Sequence, residues 1–137
     1  MFVAVDEMIS FGVVHAYAVD VARRCVRVRL SGVLTSEALL STFIDLQRDA
    51  RITHEFCALI DLRDVRSIEG LHNDELQSIA STPLDTVARR AFVAVHPAVF
   101  RLCRMFAVCR ELAEREPVAV FRSIHDAEEW LGLPGGA

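Results

Sequence analysis

Short apolar runs alternate with amphipathic segments along the chain, and the run from Cys57 to His72, CALIDLRDVRSIEGLH, is the sharpest of them. Cys57, Ala58, Leu59, Ile60 and Leu62 make a stretch too short for a helix but normal for a central strand covered on both faces. Asp61, Arg63, Asp64 and Arg66 crowd its exit, so the strand is expected to open into a charged loop lasting to about residue 73. Open α/β sheets commonly meet ligands and partners at such carboxyl ends.

Upstream, residues 2–12 fit either an irregular arm or an extra edge strand. Val13 to Ala22 is β-branched and apolar, and after Arg23-Arg24 the segment Cys25 to Leu34 alternates strictly. Val26, Val28 and Leu30 share one face, with Arg27 and Arg29 on the other. Period two marks a half-exposed strand, so the two runs predict an antiparallel hairpin. Thr35 or Ser36 can then cap a helix to about Ala50, its stripe formed by Leu39, Leu40, Phe43, Ile44 and Leu46. A second helix is predicted over Asn73 to Ser81, ended by Thr82-Pro83. Arg89-Arg90 precede a buried strand from Ala91 to Val95, and His96-Pro97 opens the longest helix, with Phe100, Cys103, Phe106, Ala107 and Leu112 inward. Pro117 to Phe121 is a further strand. Ser123 caps a last helix that packs Ala127, Trp130 and Leu131, and 133–137 form a frayed tail. The order β-β-α-β-α-β-α-β-α predicts one α/β domain over 13–132, with a mixed sheet of about five strands, parallel at its centre.

A chain of 137 residues, 53% hydrophobic and 25% charged, suits a single globular domain. Its net charge of -4 argues against a nucleic-acid partner. Cys25, Cys57, Cys103 and Cys109 show no CxxC spacing and lie within apolar patterns, which predicts buried free thiols in a reducing compartment. Asp6 and Glu7 stand where a signal peptide would be positive, and no uncharged run is long enough to span a bilayer. A cytoplasmic protein is expected.

The chemistry is sparse. Asp61 and Asp64 could serve as acid–base carboxylates or hold Mg²⁺, but carboxylates alternating with arginines more often neutralise one another as ion pairs. The five histidines have no HxxxH or HExxH spacing. There is no lysine, and the fixed positive charge rests on fifteen Lys+Arg positions that are all arginine. No catalytic residue, metal ligand or cofactor is therefore expected. The helix from Pro97 carries more apolar residues than one stripe needs, and Phe100, Leu102, Met105, Phe106 and Cys109 mark a face for a second subunit or an apolar small molecule.

At IDLRDVRSIEGL the residues Asp61, Leu62, Val65 and Ile68 resemble the STAS class of anti-sigma-factor antagonists, in which a serine at the following helix start is phosphorylated. Here Glu69 and Gly70 occupy that place, and Ser67 is out of register. Across Tyr17 to Leu131, the segments VRVRLSGVLT, LIDLRDV, RRAFVAVHPAVFRLCRMF and VAVFRSIHDAEEWL resemble the bacterial SpoIIAA-like family, related by fold to CRAL-TRIO lipid-binding domains. That resemblance implies a SpoIIAA/STAS-like fold used as a non-enzymatic, regulatory protein-interaction module, or as an apolar-ligand or lipid carrier. The partner surface it implies is Asp61, Arg63, Asp64, Arg66, Ser67, Glu69, Gly70 and His72. A homodimer through the Pro97 helix is the expected assembly.

Overall fold

The structure, a computed structural model, describes residues 2–10, 13–81 and 87–133. Its strands are β1 (Phe2–Ser10), β2 (Val13–Asp20), β3 (Cys25–Thr35), β4 (Cys57–Glu69), β5 (Arg89–Val93) and β6 (Val118–Phe121). Its helices are α1 (Ser36–Arg48), α2 (Asn73–Ser81), α3 (Pro97–Leu112) and α4 (Ile124–Leu131). From β2 onward the order is the predicted one. Phe2–Ser10 adds a strand, so the sheet has six, arranged β1-β2-β3-β4-β5-β6. β1, β2 and β3 pair antiparallel, whereas β3 to β6 run parallel.

Each parallel strand lies beside the next one in sequence, so every crossover steps in the same direction. Right-handed crossovers that step one way must all pass over one face of the sheet. That face is the larger core, where Val26, Val28, Leu30, Ala58, Ile60, Leu62 and Phe92 meet the inward residues of α1, α2 and α3. The chain crosses over only after β6. There α4 lays Ala127 and Leu131 on Cys25, Cys57, Leu59, Ala91 and Val93. Trp130 packs beside Phe121, ring centroids 5.9 Å apart, under the Arg89 guanidinium.

The helix starts follow the sequence signals. Thr35 accepts from Ala38 N–H, Ser123 from Asp126 N–H, and the His96 ring nitrogen Nδ1 from Ala98 N–H ahead of Pro97. Three expectations require correction. The strand placed at Ala91–Val95 is Arg89–Val93, with Arg90 buried inside it and Val95 exposed. Leu112, assigned to the core stripe of α3, is 79% exposed. The stretch expected as a loop over 61–73 remains strand as far as Glu69. The Thr82-Pro83 helix stop and the tail from 134 fall outside the described residues.

Candidate functional site

The long fourth strand comes from an apolar period that is neither two nor 3.6. Leu62, Val65 and Ile68 recur every third residue, which regular strand geometry cannot keep on one face. The register against β3 shows how they are kept there. It passes from Arg29↔Asp61 to Ser31↔Asp64, and again from Gly32↔Val65 to Val33↔Ser67, taking one extra residue into β4 at each step. Two successive bulges of this kind return Leu62, Val65 and Ile68 toward the core and leave pairs of residues outward between them. Arg63, Asp64, Arg66 and Ser67 are those exposed pairs. β5 ends opposite Asp61, so among the described residues the rest of β4 has a strand on its β3 side only. Bulges and alternating charge are both features that discourage further strand pairing there.

Of the eight residues assigned to the partner surface, Asp64, Arg66, Ser67, Glu69, Gly70 and His72 are exposed and follow one another along this exit. Arg63 is exposed as well but is held by its neighbour. Its Nε and Nη2 donate to the two Asp61 oxygens at 2.9 and 2.8 Å, and its backbone N–H donates to Oδ1 at 3.0 Å. Asp61 itself is only 8% exposed, which corrects its place on an open surface. Burial pushes its carboxyl upward, but the Arg63 bonds outweigh that and hold it below the usual carboxylate range. With both oxygens engaged, Asp61 is poorly placed to act as a base or metal ligand.

Gly70 turns the chain with φ +68°, the left-handed region that disfavours side chains. At the start of α2 the Glu75 carboxylate accepts from His72 N–H at 2.9 Å, the returning half of a capping box. Beside it, an open cleft of about 360 Å³ separates the first turns of α1 and α2, lined by Ser36, Glu37, Leu40, Asp74, Glu75 and Ser78. Sequence reasoning missed this convergence because Glu37, Asp74 and Glu75 read individually as complements to helix dipoles. Their two helices start side by side because β3 and β4 are neighbours, with Thr35 registered to Glu69.

On α3 the five residues assigned to a subunit or ligand face divide. Phe106 is 3% exposed and points inward, edge-on to Phe92 at 5.6 Å and tilted against Phe43 at 5.7 Å. This is its expected place in the core stripe, and it removes Phe106 from a face that a second subunit could touch. Phe100, Leu102 and Cys109 are half-buried against the same core, and Arg122 stacks over the Phe100 ring at 4.0 Å. Met105 is exposed, in line with Val108 and Leu112. Inside, the space among Leu34, Leu62, Leu76, Phe92, Leu102 and Phe106 is about 10 Å³, room for roughly one water, whereas ligand pockets hold about 300 Å³ or more.

A buried ionic cluster lies near the other end of α3. Arg90 and Arg110 are 1% and 0% exposed, and both bind the Glu116 carboxylate, one at each oxygen. Arg110 also donates to the Ala80 carbonyl at 2.8 Å, tying α3 to the end of α2. The sequence gives no sign of this cluster, since a glutamate six positions from Arg110 makes no helical pairing signal.

The one-way winding bears on function too. Ligand crevices in open α/β sheets form where strand order reverses and helices part to opposite faces. The order β3-β4-β5-β6 contains no reversal, so the carboxyl ends here present a surface rather than such a crevice.

No protein-family model matches the chain, and no curated protein is similar to it in sequence. Among solved structures it is similar to an uncharacterized protein of the DUF3478 family with a SpoIIAA-like fold from Shewanella loihica PV-4. The two share 16% identity at a TM-score of 0.52, over 93% of this chain and 92% of that one. The chain thus has a SpoIIAA-like fold, and among the described residues no helix is long and apolar enough to cross a membrane.

Proposed function

We propose that this SpoIIAA-like domain is a non-enzymatic, cytoplasmic protein-interaction module whose partner surface is the bulged exit of β4 together with the first turn of α2. The observation carrying this reading is the continuity of exposed polar groups from Asp64 through His72 into the acidic cleft between α1 and α2. Bulges fix the outward direction of Asp64, Arg66 and Ser67, so the surface is pre-formed and loses little entropy on binding. Glu37, Asp74 and Glu75 favour a partner segment carrying basic side chains. Gly70 stands where related proteins carry the phosphorylated serine, and its left-handed backbone would strain a serine. Regulation by phosphate at that position is therefore not part of the proposal. Replacing Asp64 and Glu69 by alanine is expected to weaken partner capture in a pull-down while far-UV circular dichroism stays unchanged. Equal capture by the variant would refute this surface.

We further propose a homodimer through α3, supported by Met105, Val108 and Leu112, which are 44%, 51% and 79% exposed along one outer line of the helix. Sedimentation at micromolar concentration is expected to give a dimer mass, and Met105→Glu a monomer. A wild-type monomer mass would end this reading. The apolar-carrier alternative would require the core between α3 and the sheet to open, given the roughly 10 Å³ of space inside it.

A further inference from the structure

Cys25 and Cys57 are 32 positions apart in sequence and yet face each other directly. They are register partners at the first residues of the parallel strands β3 and β4. Register partners point to the same side of a sheet, and adjacent strands lie about 4.8 Å apart, within the roughly 4.4 to 6.8 Å between Cα atoms that disulfides span. Both belong to the small core beneath α4, at 1% and 7% exposure, and both are free thiols. The Cys25 thiol donates to the Val26 carbonyl at 3.7 Å, with Cys57 opposite it in the ladder.

The row continues on either side. Asp20 is the β2 partner of Cys25, and Arg89 is the β5 partner of Cys57. Arg89 donates to the Trp130 and Leu131 carbonyls at 3.0 Å, partners without charge, so its positive field reaches the sulfur beside it. Arg27 adds to that field, although Glu128 offsets it at 2.6 Å. The two thiols are thereby made unlike. The hydrogen bond from Cys25, with Arg89 and Arg27, pulls the Cys57 thiol below its ordinary value against the effect of burial. The bond to Cys57, burial and the Asp20 charge push Cys25 up.

We propose that Cys57 and Cys25 are a peroxide-reactive pair, Cys57 the attacking and Cys25 the resolving sulfur, which close into a disulfide across the β3–β4 ladder. The oxidant is a hydroperoxide. The Cys57 thiolate attacks one peroxide oxygen, an S–O bond forms as the O–O bond breaks, and hydroxide leaves. The product at Cys57 is a neutral sulfenic acid, so the charge that kept Cys25 protonated is gone. Cys25 then gives its proton to the hydroxide, and its sulfur attacks the sulfenic sulfur. The S–S bond forms as the S–O bond breaks and a second hydroxide leaves, taking up a solvent proton in place of the one Cys57 released on ionising. In sum, two thiols and hydrogen peroxide give one disulfide and two waters. Cys103 is the internal control, since burial pushes its thiol up to about 12.

The test uses the full-length reduced protein, treated with hydrogen peroxide while folded, alkylated and digested without reductant for mass spectrometry. A Cys25–Cys57 cross-linked peptide short of two hydrogens is expected, with Cys57 consumed at least about tenfold faster than Cys103. In Cys25→Ser, Cys57 should instead accumulate as a sulfenic acid trapped by a cyclic 1,3-dione. In Cys57→Ser, Cys25 should react no faster than Cys103. A Cys57 that survives as long as Cys103, or a disulfide that recruits Cys109, would overturn the proposal. Should a serine variant misfold, the wild type and Cys109→Ser decide the question alone.

Discussion

Glutamine at position 116 keeps the shape of the glutamate but not its charge or its two acceptors. Each Glu116 oxygen holds one guanidinium, from Arg90 and from Arg110, in surroundings where all three side chains are at most 5% exposed. The amide oxygen of glutamine can accept from one arginine, and its NH₂ group must then face the other, donor against donor. Neither guanidinium can shed its proton to relieve this. Removing one member of a buried charge cluster costs about 3 to 5 kcal/mol, because charge left behind is uncompensated. The lower end applies here. Arg110 keeps its bond to the Ala80 carbonyl, and Arg90 and Arg110 lie 5.0 and 6.0 Å from the Phe43 and Phe106 rings. A loss of about 3 kcal/mol lowers Tm by about 10 °C in a domain of this length, followed by circular dichroism. Arg90→Met, Arg110→Met and Glu116→Met combined should recover much of the loss, since well-packed apolar replacements of a whole buried cluster are often neutral. A Glu116→Gln protein melting within about 2 °C of wild type would refute the reasoning.

Acid should act through Asp49, whose carboxyl is lowered from 3.8 to about 2 by the Arg51 side-chain bond, with help from Arg51 N–H and the Tyr17 hydroxyl. A depressed folded value means that this stabilisation is complete above about pH 4 and lost as pH falls toward 2. Urea midpoints of Asp49→Asn should therefore lack about 1 kcal/mol of that acid-dependent loss. Gly70→Ala should cost about 1 kcal/mol through backbone strain alone, since nothing lies within 4 Å of the added Cβ, with Gly70→Asn milder by urea titration. Thr35→Ala and Ser123→Ala should each lower stability by about 1 kcal/mol through loss of a helix cap, read as a shift in thermal midpoint.

Period two at Val26, Val28 and Leu30, the cap at Thr35, the proline after His96 and the cap at Ser123 made most elements legible, because each is a local signal. The exit of β4 was misread because a spacing of three matches no regular element. Only pairing with β3 reveals the bulges that accommodate it. The candidate surface was legible as a run of residues along one strand, but the acidic cleft beside it was not, since it joins residues 37 and 74 through sheet order. The same holds for Cys25 beside Cys57 and for Glu116 between Arg90 and Arg110. Each is a coincidence of register or packing between distant segments, and composition carries no trace of it.

A sheet laid down in strict sequence order also has a temporal meaning. Every strand from β2 to β6 finds a hydrogen-bonding partner immediately before it in the chain, so each can dock as soon as it is synthesised without waiting for a later segment. The last helix is the exception. When α4 folds back beneath the sheet, Glu128 reaches Arg27 across 101 residues, and that contact closes the domain from its far end. A free chain ending just short of Ile124 should therefore already hold its sheet, with the row from Asp20 to Arg89 still open to solvent on one face.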